Sequence, residues 1–278
     1  MMTDPWDKRK SLAEALSLVR GTGISIAFGG VTLYRRPMAF ALGLLKQFES
    51  SGQPTDLTLL SITAGIESDL LIGAGLIKAI RTCYAGLEVF GLAPHFTQAI
   101  SQGDLEMIEE TEASFAYGLR ASLAGVGFMP STAWQATDLL KLRPDVKSIE
   151  DPYTGELLTA FPAITPDVCI LHALEADIEG NAIIGMNQGI DRELALAAQT
   201  VIVTAEKIVE RLDKADIIGP VVDAVVECPH GAWPTSCHPL YALDGEAVLA
   251  YSESSLTGGY AQLLRNWSER HQLDELFS

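Results

Sequence analysis

The sequence predicts an α/β protein built on a parallel sheet. Short β-branched apolar runs alternate with stretches of helical periodicity along the whole chain. The two clearest runs, 167–172 and 200–204, read as core strands. Apolar residues make up 48% of the 278 positions, enough to fill a core and leave surface for an interface.

Residues 11–20 carry Leu12, Ala15, Leu16 and Val19 on one helical face, and Gly21-Thr22-Gly23 stops that helix. A short strand over 24–28 follows, then Gly29-Gly30, then a second helix with Pro37 in its first turn. Residues 57–62 read as a buried strand, 67–76 as a short helix of small residues, and 79–85 as the next strand. Beyond Gly103, a strand over 105–108 leads into a helix over 112–123. The proline-bearing stretch 131–166, mixed in charge, reads as a long irregular excursion from a single domain spanning 1–278. Between the core strands, 177–181 makes a turn and 191–198 a helix with Asp191 near its N-cap. Residues 221–226 form the last strand, and 246–272 close the chain as helix. There is no internal repeat.

Nineteen basic residues against 36 acidic ones give a formal charge of −17, which argues against a nucleic-acid backbone and against an anionic membrane as partner. An anionic small molecule stays open, because one placed arginine or helix N-terminus outweighs a distant field. The polar stretch 1–10 has no apolar core of a secretory signal, and the apolar run 70–80 is too short for a bilayer. Four cysteines, Cys83, Cys169, Cys228 and Cys237, are scattered without a C-x-x-C pair, as reduced thiols of a cytoplasmic chain are. Cys228-Pro229-His230 and Cys237-His238 are weak support for zinc, and no metal is expected.

Four segments are candidates for chemistry. In Ala27-Phe28-Gly29-Gly30 through Arg35-Arg36-Pro37, a strand ends on two glycines just before a helix. Bare backbone N–H groups there suit an anion or a developing oxyanion; the plainer reading is a tight turn with a surface arginine. The segment lacks the Lys-Ser/Thr of a P-loop and the third glycine of a dinucleotide fingerprint. The second segment, Asp69 to Gly75 and on to Gly86, has small residues that fit close packing better than a site. The third holds Glu106, Glu109, Glu110 and Glu112, more simply dipole partners of a helix start than one inward base. The fourth, Pro229 to Tyr241, is a loop just past a core strand, where α/β sheets place binding crevices. Ser236 and His238 are too close in sequence to aim at each other, and no G-x-S-x-G elbow accompanies them.

Taken together, these residues resemble the A-type chains of class I coenzyme A transferases, glutaconate-type members above all. The likeness rests on Gly29-Gly30 to Arg35-Arg36-Pro37, Asp69 to Gly73 with Cys83-Tyr84, 167–173 with 197–204, and Asp223 to Val226 through Gly231-Ala232, Pro234, Cys237 and Tyr241. These blocks are collinear from about residue 11 to 250, at spacings like the family's. The resemblance implies the CoA-transferase and ribose-isomerase type of fold, with helices on both faces of the sheet. It implies a B-type partner chain in an α2β2 or higher assembly, with coenzyme A as cosubstrate and no permanently bound cofactor. The partner's glutamate attacks an acyl-CoA, forming an acyl anhydride and then an enzyme–CoA thioester, from which a small carboxylic acid takes the CoA. In this chain Phe28, Gly29, Gly30, Arg35 and Gly86 would shape the acyl pocket, Arg35 by pairing with the acid or by fixing the loop. A hydrolase branch of the family carries an essential glutamate matching Glu112, and other relatives are decarboxylases of CoA esters. A non-catalytic metabolite-binding protein on the same fold is a further alternative.

Overall fold

Strand residues whose two faces are both apolar dictate a sheet covered on both sides, and the computed structural model, which describes residues 6–273, has one. In chain order the strands are β1 (Ser25–Phe28), β2 (Leu57–Ala64), β3 (Ile77–Ala85), β4 (Glu106–Glu109), β5 (Phe128–Ser131), β6 (Lys147–Glu150), β7 (Leu157–Pro162), β8 (Val168–Ala173), β9 (Glu175–Asp177), β10 (Ala182–Ile183), β11 (Thr200–Ala205), β12 (Ile208–Val209) and β13 (Ala224–Glu227). The helices are α1 (Leu12–Leu16), α2 (Met38–Ser51), α3 (Ile66–Gly73), α4 (Pro94–Gln102), α5 (Glu112–Leu123), α6 (Leu139–Leu142), α7 (Asp191–Ala197), α8 (Gly245–Thr257) and α9 (Tyr260–Arg270).

Seven strands make the main sheet in the order β13-β11-β8-β1-β2-β3-β4, and every pairing in it is parallel. Side chains alternate between its faces. Ile26, Phe28, Leu59, Ile80, Val168 and Ile170 join a core with α1, α2, α3, α8 and α9. Ala27, Leu60, Cys169, Leu171, Val201 and Val203 join a second core with Phe115 and Leu119 of α5 and Leu194 of α7. One edge is capped by the N-terminal segment, since Lys10 N donates to Val225 O at 2.9 Å and Val225 N to Lys8 O at 2.9 Å. The other edge, β4, is short and acidic, which blunts it against further pairing.

β1 lies at the centre. From it the chain winds outward through β2, β3 and β4, then crosses to β8, β11 and β13 on the other side. The carboxyl ends of β1 and β8 therefore flank the point where winding reverses, the position at which open α/β sheets bind ligands.

Several expectations need correcting. The 131–166 excursion is ordered: β5, β7 and β6 form a three-stranded antiparallel sheet, joined by α6. Its strands are half exposed and carry Pro130 and Pro162, so their pattern looked like loop. The first helix is only Leu12–Leu16, fixed by a capping box in which Ser11 and Glu14 bond reciprocally. Pro37 is the N-cap of α2, not a first-turn residue. The closing helix is two helices, because Gly258 ends α8 at φ +88°. The last main-sheet strand begins at Ala224, after a 3-10 turn over Gly219–Val221. Helix α4 was not anticipated. Among the described residues no helix is long and apolar enough to cross a membrane.

Candidate active site at the carboxyl edge

The Gly29-Gly30 turn leaves β1 at the reversal point, and the atoms around it leave no freedom. Gly29 N donates to Ile170 O at 3.0 Å, and Gly30 N donates to Asp191 Oδ1 at 2.9 Å. Neither N–H is therefore bare, contrary to the expectation that they face an anion. The glycines are required by packing: a Cβ on Gly29 would sit 2.3 Å from Leu171 Cδ2, and one on Gly30, at φ +85°, 2.6 Å from Tyr34 O. Gly30→Ala should cost about 1–3 kcal/mol from the left-handed backbone alone, measurable as a lower urea midpoint; an unchanged midpoint would count against the clamp described next.

Two consecutive arginines fix this turn. Arg35 is fully buried; its Nη1 donates to His172 O at 2.6 Å, and its Nη2 to Asp191 Oδ2 at 2.5 Å and Asn187 O at 3.2 Å. Those donors are spent inside the chain, so the guanidinium holds the loop and does not face an incoming acid. Arg36, also fully buried, donates from Nη1 to Gly30 O at 2.9 Å and from Nη2 to Ser61 Oγ at 2.9 Å and to Glu67. Gly30 is thus clamped at its N–H by Asp191 and at its carbonyl by Arg36. Sequence reasoning did not single out Arg36, Glu67 or Asp191 as a unit. A charged pair of arginines inside an apolar strand–helix junction was the available signal, since such charges must be matched when buried.

The other expected residues lie nearby with different environments. Phe28 points into the apolar core at 1% exposure. Gly86 is buried, with its N–H on Ala64 O at 3.1 Å, and a Cβ there would strike Tyr84 Oη at 2.5 Å. Glu112 opens α5 and is exposed. The carboxylate that turns inward from that acidic segment is Glu110, which receives Arg81 Nε at 2.7 Å, Arg143 Nη1 at 2.8 Å and the Ser114 hydroxyl. Through Arg143 it ties the small antiparallel sheet to β4. Burial lifts the neighbouring Cys83 thiol to about 12, with Glu110 and Glu112 adding to the effect.

The carboxyl ends of β8 and β11 carry a second buried network. His172 Nε2 lies 2.8 Å from Glu206 Oε1 and its Nδ1 2.8 Å from Thr204 Oγ1. Tyr241 Oη donates to Glu206 at 2.5 Å, and His230 N donates to the other carboxylate oxygen at 2.6 Å. Burial holds His172 below the usual imidazole range, against the pull of Glu206. Burial also pushes Glu206 upward, but the bonds from His172, Tyr241 and His230 outweigh it and leave Glu206 below the usual carboxylate range. His172, Glu206 and Cys237 are the one group among the described residues with the donor set of a metal site. Their ligand atoms, however, are joined by hydrogen bonds, and burial with Glu206 pushes the Cys237 thiol to about 12. These bonds make the group a latch between the 229–241 loop and the sheet. Ser236 is committed elsewhere, its N–H and hydroxyl both on Leu33 O, while His238 is exposed.

These features, a reversal-point turn clamped by buried ion pairs on a seven-stranded parallel sheet, define an α/β fold whose candidate site lies at the strand carboxyl ends. The chain belongs to the coenzyme A transferase family, whose model matches residues 9–228. It is 32% identical over 248 residues to the A-type subunit of 3-oxoadipate CoA-transferase from Pseudomonas knackmussii, covering 87% of this chain and 86% of that one. The A-type subunit of glutaconate CoA-transferase from Acidaminococcus fermentans is 34% identical over 273 residues, with 90% and 84% covered. Among solved structures, a variant of the decarboxylase AibA/AibB superposes with a TM-score of 0.86 at 32% identity, covering 93% of this chain and 97% of that one.

Proposed function

We propose that the chain is the A-type subunit of a heteromeric CoA transferase, moving CoA between an acyl-CoA and a small carboxylic acid at a boundary shared with a B-type chain. One observation carries this reading: the buried carboxylates near the site are all committed within the chain. Glu67 and Asp191 balance Arg36 and Arg35, Glu110 balances Arg81 and Arg143, and Glu206 receives three hydrogen bonds. A carboxylate already neutralised by an arginine is a poor nucleophile. The glutamate that attacks the thioester is therefore assigned to the companion, and this chain supplies the rigid floor built on Gly29, Gly30 and Arg35. That its relatives are named as A-type subunits supports the division. An α2β2 assembly in the cytoplasm, without a permanently bound cofactor, fits four free cysteines and the family likeness.

The chain alone should exchange no CoA between acyl-CoA and free acid, while the pair formed with its companion should exchange it. Hydroxylamine added with acyl-CoA should trap an activated glutamate on the companion. Full exchange by the isolated chain would sink the reading.

A second reading is favoured by the likeness to a decarboxylase at 32% identity and by Glu112, exposed at the carboxyl edge and free of an arginine partner in the hydrogen bonds described. In that reading the pair decarboxylates or hydrolyses a CoA ester with Glu112 as the working carboxylate. Release of CoA or carbon dioxide without an acid acceptor, lost in Glu112→Gln, would favour it.

A further inference from the structure

Thr32 is the only β-branched residue among the described residues with a left-handed backbone, at φ +48°. Such a conformation suits glycine and is an outlier for threonine. It is imposed by its surroundings. Val31 and Tyr34 exchange backbone bonds of 3.0 and 2.8 Å around it, and Thr32 N donates to Thr63 Oγ1 at 3.0 Å. Gly30 at φ +85° and Arg35 at φ +55° flank it, so three left-handed residues fall within six positions. The Thr32 carbonyl reaches over Gly65, where a Cβ would come within 2.5 Å of it. The clamp on Gly30 from Asp191 and Arg36 holds the whole turn from beneath.

What this rigidity presents is a hydroxyl. Thr32 is half-exposed at the carboxyl ends of β1 and β2, and its Oγ1 makes no hydrogen bond with another described residue. Among neighbouring hydroxyls, Thr82 donates to Tyr84 O, while the Thr63 and Ser61 oxygens accept from Thr32 N and Arg36. A left-handed threonine backbone where glycine would carry less strain, with an open hydroxyl as the side chain's one polar atom, is an outlier that points to contact with a ligand.

We propose that Thr32 is a catalytic residue of the acyl site, its hydroxyl donating a hydrogen bond to the thioester carbonyl oxygen of the bound acyl-CoA. This rests on the transferase reading above. The companion's carboxylate oxygen adds to the thioester carbon, and the C=O π pair moves onto the carbonyl oxygen, where the hydroxyl receives the charge. Collapse re-forms C=O, breaks the C–S bond and expels CoA as thiolate, leaving the acyl anhydride; the Thr32 proton stays on its own oxygen. A donor placed where charge develops acts on the rate more than on binding.

The test compares Thr32→Ser, Thr32→Val and Thr32→Gly with wild type, each assembled with the companion chain, by steady-state exchange and by thermal unfolding. Thr32→Val keeps shape and strain but lacks the donor, and should lose about 100-fold in kcat with little change in KM. Thr32→Ser, which keeps the hydroxyl, should retain most of the rate. Thr32→Gly should lose as much as Val while its Tm rises by about 2–4 °C, the strain being relieved. A purely structural Thr32 would leave kcat of the Val and Gly variants at the wild-type level, and that result overturns the proposal. An active wild type beside an undiminished Thr32→Val sinks this inference alone, whereas a wild-type pair with no exchange sinks the transferase reading beneath it.

Discussion

Arg36→Met should destabilise the chain by about 3–5 kcal/mol, because it leaves a buried carboxylate without its counter-charge. Glu67 is fully buried, and Arg36 with Ser68 supplies its bonded partners, both on Oε1. The methionine side chain fills much of the arginine volume, so the loss is electrostatic and not a cavity. Gly30 O and Ser61 Oγ lose their donor in the same step. Set against a total of about 5–15 kcal/mol for a typical protein, such a loss brings the chain close to unfolding. The double variant Arg36→Met with Glu67→Leu removes both charges, and should recover most of the stability, since a buried pair and its apolar replacement are often equivalent. It should not recover exchange activity, because the carbonyl of Gly30 is then unheld. Urea unfolding of the single and double variants measures the first part, and a single variant within about 1 kcal/mol of wild type would show that the pair is not the clamp.

The legible part of the fold is that decided by local pattern. β8 and β11 were clear because five of six positions in the first, all but His172, and all six in the second are apolar or β-branched, as in a strand covered on both faces. β5, β6 and β7 were missed for the opposite reason: they are largely or partly exposed, and prolines stand within β5 and β7. Their place against β4 is held by Glu110 and Arg143, residues 33 positions apart whose ion pair no local pattern reveals. At the site the tight turn on Gly29-Gly30 was legible, whereas the surface placement read for an arginine gives way to burial of both Arg35 and Arg36. A surface arginine and a buried one look alike in sequence; Arg35 and Arg36 declare themselves only when Asp191 and Glu67, far along the chain, come up beside them. Thr32 left no trace, since nothing in a threonine's neighbours announces a left-handed backbone. Glu112 was the acid chosen from its segment by likeness, whereas the fold turns Glu110 inward and leaves Glu112 in solvent.

Acid should unfold this chain earlier than its carboxylates alone would require. His271 packs beside Trp233, with Nε2 3.3 Å from the Trp233 carbonyl oxygen. Burial depresses it to about 4, the Trp233 carbonyl opposing and the Arg270 charge reinforcing the shift. The unfolded chain takes up this proton as pH falls through about 6.5, while the folded chain refuses it until about 4. Between those values the unfolded state binds more protons, so stability rises with pH, and it falls as the solution is acidified. The contribution is complete above about pH 6.5; a gap of roughly 2.5 pH units corresponds to about 3 kcal/mol lost by pH 4. His172, held low by burial, acts in the same direction. Glu206, below the usual carboxylate range, adds stability that is present above its unfolded value and disappears as pH falls through its folded one. His271→Phe keeps an aromatic ring against Trp233 without the titrating nitrogen. Its unfolding free energy, followed by urea from pH 7 to pH 4, should decline by about 3 kcal/mol less than wild type over that span. Parallel curves for the two proteins would mean that His271 binds its proton equally well folded and unfolded, and that acid attacks the β8–β11 latch of His172 and Glu206 first.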